Sequence, residues 1–212
     1  MKGVAEIFAI NRSVTFRFLN AGPFPIFKRS KKEHGMKSSE LIAWIEQNQL
    51  VEKTIEIERN GFLKTAGSID TQIYLVEEGS LRVYIMDENE ERTIRFGYQN
   101  NILVSLDSFL TEKPSEFVIQ TLKKTRVKVI SKKAFVEFIN REETNRKLWV
   151  KILEDLVIQQ IEREKDLLIS SPKERFERVM KRSPQLFQEI PHRHIANYLR
   201  MTPETLSRLK KS

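Results

Sequence analysis

The pattern of apolar and polar positions changes rhythm along this chain of 212 residues. Between residues 53 and 131, apolar residues alternate with polar ones in short runs that are rich in β-branched side chains. Gly, Asn and Asp separate these runs at intervals of about 8–12 residues, which is typical of an antiparallel sandwich or barrel. In "VEEGSLRVY" we expect a tight hairpin at Gly79, because glycine adopts backbone conformations that a side chain would forbid. The segment "MDENEER" predicts the next turn.

From about Lys132 the apolar positions take the longer period of a helix. The segment "KKAFVEFINR" predicts a short amphipathic helix, and "ETNRKLWVKILEDLVIQQIEREKDLLIS" predicts a long one. With roughly 27 residues, the long helix would extend about 40 Å. Its apolar residues come in pairs, which makes a stripe wider than one packing face needs. It is either a core helix of its own domain or, as we expect, a helix shared with a second copy of the chain.

The segment "IPHRHIANYLRMTPETLSRLKK" predicts two short helices joined by a tight turn. Thr202 is a good N-cap, Pro203 suits the first helical position, and Glu204 favours the positive end of the helix dipole. Apolar residues of both helices are expected to face inward, namely Ile195, Ala196, Leu199, Leu206 and Leu209. Two helices of about eight residues with such a turn have the dimensions of a helix-turn-helix.

Several polar side chains of this segment are suited to contact DNA. In a major groove, Arg208 can donate to guanine, while Glu204, four residues earlier on the same face, can accept from cytosine. The same two residues could instead form a simple ion pair worth about 0.2–0.5 kcal/mol. The side chains suited to reach phosphates are Thr202, Thr205, Ser207, His192, Arg193, Lys210 and Lys211. We expect His192 and His194 to be exposed polar residues at a helix start, not metal ligands.

Charge is concentrated at the two ends of the chain, whose net charge is +8. Residues 171–212 hold ten Lys or Arg against four Glu, and residues 1–35 hold seven against two, so the middle is mildly acidic. Clustered positive charge favours a polyanionic partner such as nucleic acid. A solvated basic face is the alternative interpretation.

The composition argues against several kinds of chemistry. Without cysteine the chain has no disulfide, no thiolate nucleophile and no cysteine-bound iron–sulfur cluster. Residues 36–170 also lack histidine, which argues against a haem sensor, and Glu77 and Glu78 are expected in a solvated turn. We therefore expect neither an enzyme nor a bound cofactor.

No apolar run approaches the roughly 18 residues that span a bilayer, and no secretory signal is evident, so we expect a cytoplasmic protein.

The first 35 residues are hard to assign to a domain. The segment "GPFPIF" cannot lie within a helix, and "KRSKKEHG" is typical of a linker. At Met36, "MKSSELIAWIEQNQL" begins a segment with a helical apolar face. We therefore expect residues 1–35 to be an extension ahead of the first folded domain, a stretch read from an upstream in-frame start codon, or a cloning artefact.

The order of these elements resembles that of the Crp/Fnr family of bacterial transcription regulators over residues 36–211. The segment "VEEGSLRVY" is a moderate signal, and "IANYLRMTPETLSRLKK" is a strong one. The resemblance implies an α+β fold with an N-terminal antiparallel β-roll, that is, a double-stranded β-helix or jelly roll. This cyclic-nucleotide-binding-like sensor domain would occupy residues 36–140, a dimerisation helix residues 141–170, and a small helix-turn-helix DNA-binding domain residues 171–212.

The resemblance also implies partners. They are a second copy of the chain, a pseudo-palindromic operator in double-stranded DNA, a small-molecule effector and, at a promoter, RNA polymerase. The DNA contacts that it implies are Arg193, Thr202, Glu204, Thr205, Ser207, Arg208 and Lys211. Pro203 replaces an arginine of the family, Arg200 replaces the usual turn glycine, and few residues follow for a β-hairpin wing. These departures leave the preferred DNA sequence open.

The effector pocket departs further from the family. Members that bind cyclic nucleotides use a Gly-Glu pair for the ribose and an Arg-Ser pair for the cyclic phosphate. An ungapped alignment places Val104-Ser105 at the first pair and Ser115-Glu116 at the second. The arginine is lost, an acidic group stands near the expected phosphate, and we expect no cation that compensates. The pocket is therefore not expected to bind cyclic AMP in the usual way, which leaves another effector or none.

Apolar residues near the pocket allow two interpretations. Phe109, Phe117 and Ile119 could line a site for an apolar effector, but we expect them in the core. An alternative function also stays open at this point. It is a β-roll module that acts through a small-molecule or protein partner and carries a vestigial helix-turn-helix.

Overall fold

The computed structural model describes residues 38–211, with side chains from residue 41 onward. The expected extension over residues 1–35 lies outside the described residues. The described chain forms two antiparallel sheets, then a long helix and several short helices, so the predicted α+β fold is confirmed. Within this part of the chain, no helix has the length and apolar character needed to cross a membrane.

The strands form a β-roll of two four-stranded antiparallel sheets, with the orders β1-β8-β3-β6 and β2-β7-β4-β5. The strand bounds are Lys53–Ile57 (β1), Phe62–Lys64 (β2), Ile73–Glu78 (β3), Ser80–Asp87 (β4), Glu90–Tyr98 (β5), Ile102–Val104 (β6), Val118–Thr121 (β7) and Thr125–Ile130 (β8). Alternate residues of these strands point into the space between the sheets, where apolar side chains are removed from water. This interior cluster consists of Tyr74, Val76, Leu81, Leu103, Ile119, Val127 and Val129.

Gly79 lies at a corner of the β-roll. It alone separates β3 from β4, but these strands belong to different sheets, so the predicted hairpin is wrong. The backbone φ of Gly79 is +91°, and a Cβ there would lie 2.4 Å from the carbonyl oxygen of Lys124. Glycine is required because the chain turns sharply against a neighbouring backbone. The next predicted turn is confirmed, since β4 and β5 pair directly with Asp87 opposite Glu90.

Most of the helices follow the β-roll in the chain, and several of them pack against it. Their bounds are Ser38–Gln47 (α1), Leu106–Thr111 (α2), Lys132–Arg141 (α3), Glu143–Leu168 (α4), Pro172–Arg182 (α5), Leu186–Glu189 (α6), His192–Tyr198 (α7) and Pro203–Lys211 (α8). The hydroxyl groups of Ser131 and Ser171 cap α3 and α5, which explains where these helices begin. A second apolar cluster joins Ile45 of α1, Phe109 of α2 and Phe135 of α3 beside the β-roll.

The long helix α4 has 26 residues, close to the predicted length. Trp149, near its beginning, packs against the cluster of α1, α2 and α3. Further along, Val157, Ile158 and Ile161 remain 59%, 41% and 44% exposed. These apolar side chains do not pack on the chain's own domain, which leaves an apolar stripe on α4.

The C-terminal helices pack against one sheet of the β-roll. A third apolar cluster joins Phe96 of β5 and Leu122, which follows β7, to side chains of α5, α6, α7 and α8. The rings of Phe96 and Tyr198 are 5.4 Å apart between centroids. The short helices are therefore held against β5, the edge strand of its sheet.

Candidate nucleic-acid interface and sensor pocket

Helices α7 and α8 form the predicted helix-turn-helix core. The predicted inward positions Ile195, Ala196, Leu199 and Leu206 are all 0% exposed, and the fifth, Leu209, is half-buried against the same cluster. The turn closes where the backbone N–H of Met201 donates to the carbonyl oxygen of Ala196 at 3.0 Å. Arg200 has a φ of +55°, the left-handed conformation in which glycine is favoured.

The beginning of α8 is capped as predicted. The Thr202 Oγ1 accepts a hydrogen bond from the backbone N–H of Thr205 at 3.2 Å. Pro203 occupies the first helical position. Hydrogen bonds from its own backbone N–H and from Thr202 lower the pKa of the Glu204 carboxyl, with a smaller contribution from the Arg208 charge. Glu204 is therefore a stable negative group at the positive end of the helix dipole.

The outer side of α8 is polar and open to solvent. Thr202, Glu204, Ser207, Arg208 and Lys211 are exposed, and Thr205 is half-buried. Glu204 and Arg208 do not form an ion pair, and the Arg208 guanidinium makes no hydrogen bond to any described residue. Its donors are thus free for a partner outside the chain, which makes the simple ion pair the weaker of the two interpretations.

Two further basic residues bind the histidines of α7. The exposed Arg193 donates from Nε to the Nε2 of His194 at 3.1 Å. Lys210 Nζ lies 2.6 Å from Nε2 of His192, which joins the end of α8 to the beginning of α7. Among the proposed DNA contacts, Arg193 therefore lies on α7 and the others lie on α8 or directly precede it.

His194 is not an exposed residue, and that expectation is wrong. It is 7% exposed, and its Nδ1 lies 3.5 Å from an Nη1 of Arg82 on β4. Burial and, to a smaller extent, the charges of Arg82 and Arg193 lower the pKa of His194 to about 4, while the charge of Glu91 opposes them. The neutral imidazole is therefore part of the contact between α7 and the β-roll.

A polar network holds α7 to the edge of the sheet. The Asn197 Oδ1 accepts from the backbone N–H of Thr93 at 2.8 Å, and its Nδ2 donates to the Glu91 carbonyl oxygen at 2.8 Å. One side chain thus satisfies two backbone groups of the edge strand β5. Arg82, buried beneath this contact, donates to both carboxylate oxygens of Glu91, at 2.5 and 2.7 Å.

The predicted effector positions converge on each other. Ser105 and Ser115 are 3% and 2% exposed, and their hydroxyl oxygens are 3.3 Å apart. The Ser105 hydroxyl also donates to Asp107 at 2.9 Å, and the Ser115 oxygen accepts from the Phe117 N–H at 3.1 Å. A sugar-phosphate could lie between these two serines only if they moved apart.

Neighbours of this serine pair lie in different environments. Val104 is half-buried, and Glu116 is exposed. Phe109 and Ile119, at 4% and 0% exposure, lie in apolar clusters, as expected for core residues. Phe117 is half-buried. The aligned positions therefore do not form one continuous lining.

A buried lysine lies close to the serine pair, although the sequence predicts no cation that compensates there. Lys64 is 3% exposed, and its Nζ donates to the carbonyl oxygens of Ser115, Phe117 and Thr65 at 3.0, 2.7 and 3.1 Å. Burial lowers the pKa of its ammonium group, which nearby Asp107 and Asp70 partly oppose. Since an ammonium has three donors and all are bound, Lys64 has none left for a phosphate.

Sequence patterns do not single out such residues. Lys64 is one basic residue in a short strand, and Asn197 is one amide on a short helix. Arg163 on α4 and Arg175 on α5, both 8% exposed, bind backbone oxygens near the helix-turn-helix turn. Their neighbours in the sequence share no pattern, since Asn197 lies between Ala196 and Tyr198 whereas Arg163 lies between two glutamates.

Comparisons with known proteins agree with this architecture. Residues 54–142 match the family model of the cyclic nucleotide-binding domain. The chain is similar to the structure of FixK2 from Bradyrhizobium japonicum, with a TM-score of 0.60 and 17% identity over 75% of this chain and 82% of that one. No curated protein sequence matches significantly.

Two further solved structures are similar over most of their length. The c-di-GMP responsive global regulator CLP of Xanthomonas campestris has a TM-score of 0.58 and 13% identity, over 80% of this chain and 90% of that one. A CooA mutant from Carboxydothermus hydrogenoformans has a TM-score of 0.57 and 17% identity, over 78% and 77%. At these identities the similarity establishes a shared fold.

Proposed function

We propose that this chain is a dimeric DNA-binding transcription regulator of the cytoplasm. It has the fold of Crp/Fnr-type regulators, with a cyclic nucleotide-binding domain over residues 54–142. One observation carries the proposal. The outer side of α8 presents an exposed acidic residue, Glu204, and an exposed, unpaired arginine, Arg208, on a rigidly capped helix. Such a helix fits a major groove, where these two side chain types read cytosine and guanine.

The remaining candidate contacts would position the helix on the DNA backbone. Thr202, Thr205 and Ser207 would bind phosphates through hydroxyl groups, and Arg193 and Lys211 through their charges. The basic C-terminal segment supports this assignment. Positive side chains that neutralise phosphates release counterions bound to the DNA, which favours binding. No enzymatic step is part of the proposal, and RNA polymerase would be a partner at the promoter.

The apolar stripe on α4 supports the proposed homodimer. Val157, Ile158 and Ile161 are solvent-exposed in the single chain, and a second copy packed along α4 would bury them. Two copies related by a twofold axis would present two α8 helices to a pseudo-palindromic site with half-sites about 34 Å apart.

The β-roll pocket would not bind a cyclic nucleotide. Three observations support this part of the proposal: the contact between Ser105 and Ser115, the use of all Lys64 donors by carbonyl oxygens, and the absence of an arginine at position 115. The regulator would therefore respond to a different effector or act without one. Isothermal calorimetry should detect no binding of cyclic AMP; micromolar or tighter binding would contradict this part.

Selection of bound sequences from a random DNA pool tests the main proposal. We expect enrichment of a pseudo-palindrome whose two halves are separated by one helical turn. Arg208→Ala should weaken binding to the selected site by roughly 1–3 kcal/mol and relax the preference at one base pair. Lys211→Ala should weaken binding to all sequences alike. As a matched control, Lys147→Ala removes an exposed cation near the beginning of α4, outside the helix-turn-helix.

Other outcomes would favour the alternative function. If no sequence is enriched and binding to duplex DNA is undetectable at low salt, the helix-turn-helix is vestigial. The β-roll would then act through a protein or small-molecule partner. An equal loss on all sequences with Arg208→Ala would instead make Arg208 a phosphate contact.

A further inference from the structure

Two buried arginines from different helices converge on the turn that precedes α8. Arg163 of α4 donates from Nη2 to the carbonyl oxygen of Tyr198 at 2.6 Å, and its guanidinium carbon lies 3.6 Å from the centre of the Tyr198 ring. Arg175 of α5 donates from Nε to the Leu199 oxygen at 2.9 Å and from Nη2 to the Arg200 oxygen at 3.1 Å. Three consecutive carbonyl groups are thus bound by two side chains, which we name the arginine clamp.

Arg175 also binds the segment that joins α4 to α5. Its Nη1 donates to the carbonyl oxygens of Ile169 and, at 3.3 Å, Ser170. One guanidinium therefore connects the end of α4 with the turn between α7 and α8. The end of α4 is itself fixed to α5, since the fully buried Asp166 binds Arg178 at 2.8 Å and Arg182 at 2.5 Å.

Helix electrostatics explain why arginine occupies these positions. The last carbonyl groups of a helix have no partner within the helix and carry the negative end of its dipole. The bound oxygens lie at the ends of α4 and α7, and Arg175 forms no ion pair with a described acidic residue. The carbonyl dipoles therefore compensate its buried charge. A lysine has one ammonium group on a flexible chain and cannot reach four oxygens on two segments at once.

We propose that Arg163 and Arg175 are positioning residues that fix the orientation of α8 relative to α4. The inference rests on the proposed function, because α4 would join the two copies and α8 would enter the groove. Neither arginine would touch DNA, since both are buried behind α7 and the turn. The clamp would set the separation of the two recognition helices and so determine which half-site spacing the dimer binds.

Distance measurements by pulsed electron paramagnetic resonance test the clamp without DNA. The chain has no cysteine, so spin labels can be attached after Glu154→Cys on α4 and Ser207→Cys on α8, both exposed positions. Labelled chains diluted into excess unlabelled protein report distances within one chain. We expect one narrow distance distribution with the native arginines, and a broadened or displaced one with Arg163→Met or Arg175→Met.

A matched control and a folding check accompany these variants. Lys181→Met removes a positive charge from the exposed side of α5 and should leave the distance distribution unchanged. Trp44 and Trp149 lie in the cluster of α1, α2 and α3, so their fluorescence reports whether the β-roll is folded. If Arg175→Met fails to fold, Arg163→Met remains usable because it removes only one hydrogen bond and one ring contact.

DNA binding supplies the second measurement, in unlabelled protein that keeps Glu154 and Ser207. Affinity for the selected site should fall at least tenfold in both clamp variants, while affinity for unrelated duplex should change less than about threefold. We also compare the affinity for sites with altered half-site spacing with the affinity for the original site. This ratio should be higher in the variants than in the native chain. Unchanged distance distributions in both variants would overturn the clamp. If the native chain binds no DNA, the proposed function fails, while the distance result still decides the clamp.

Discussion

Acid should loosen the contact between α7 and the β-roll, because His194 is buried there in its neutral form. Its Nδ1 faces Arg82 at 3.5 Å and its Nε2 accepts from Arg193 at 3.1 Å. A protonated ring would face two guanidinium groups, with Glu91 as the acidic neighbour that partly compensates. Protonation is therefore easier once the contact is broken.

The magnitude follows from the two pKa values. His194 has a pKa of about 4 in the folded state against an ordinary value of 6.5. Because the folded pKa is the lower one, the unfolded chain binds more protons, and stability is complete above pH 6.5 and decreases as pH falls towards 4. This difference corresponds to roughly 3 kcal/mol at low pH, of which about 2 kcal/mol is lost between pH 7 and pH 5.

Urea unfolding at pH 7 and pH 5, followed by circular dichroism, measures this loss. Other groups also titrate in this range, so the informative quantity is the difference between the native chain and His194→Gln. Glutamine stays uncharged, and the pH-dependent loss should shrink by about 2 kcal/mol in this variant. An equal loss in both proteins would refute the assignment of the acid sensitivity to His194.

Three further changes test the backbone and the α4 stripe. Gly79→Ala should lower the free energy of unfolding, measured by urea titration, by at least about 2 kcal/mol, because the new Cβ meets backbone atoms. As a control, Gly67→Ala should lower it by only about 1 kcal/mol, because Gly67 has a φ of +76° but open space around it. Arg200→Gly should raise stability by about 0.5–1 kcal/mol in the same assay, because its φ is +55°; a loss would show that the Arg200 side chain stabilises the turn. Val157→Glu should convert dimers to monomers in sedimentation, while Gln159→Glu on the same helix should not; dimers in both would place the interface elsewhere.

Hydrophobic periodicity predicts those elements that bury one face. The alternating runs over residues 53–131 became the β-roll, and the paired apolar positions became α4, because one buried face imposes a repeat on the sequence. The helix-turn-helix can also be predicted from the sequence, since Thr202 and Pro203 supply capping chemistry and Leu206 supplies an inward apolar position. These features are local, so the sequence contains the information needed to predict them.

Features that depend on contacts between distant segments were not predictable in this way. The sequence around Gly79 predicts a hairpin, because a sharp turn has the same local signature whether the chain reverses within one sheet or passes to another. Lys64 binds carbonyl groups that lie 51 and 53 residues further along the chain. His194 is buried by a strand more than 90 residues earlier. A polar residue acquires such a role from its neighbours in space, and no repeat in the sequence marks it.

Besides the apolar cluster, polar contacts that the sequence does not predict hold the helix-turn-helix in place. On one side, Asn197 and His194 attach α7 to β4 and β5; on the other, the arginine clamp attaches the following turn to α4 and α5. The outer side of α8 belongs to neither set and stays free. An effector can change DNA affinity only if it binds two arrangements of the chain with different affinity. An effector that moves α7 and α8 relative to the β-roll or to α4 would therefore have to change one of these contact sets.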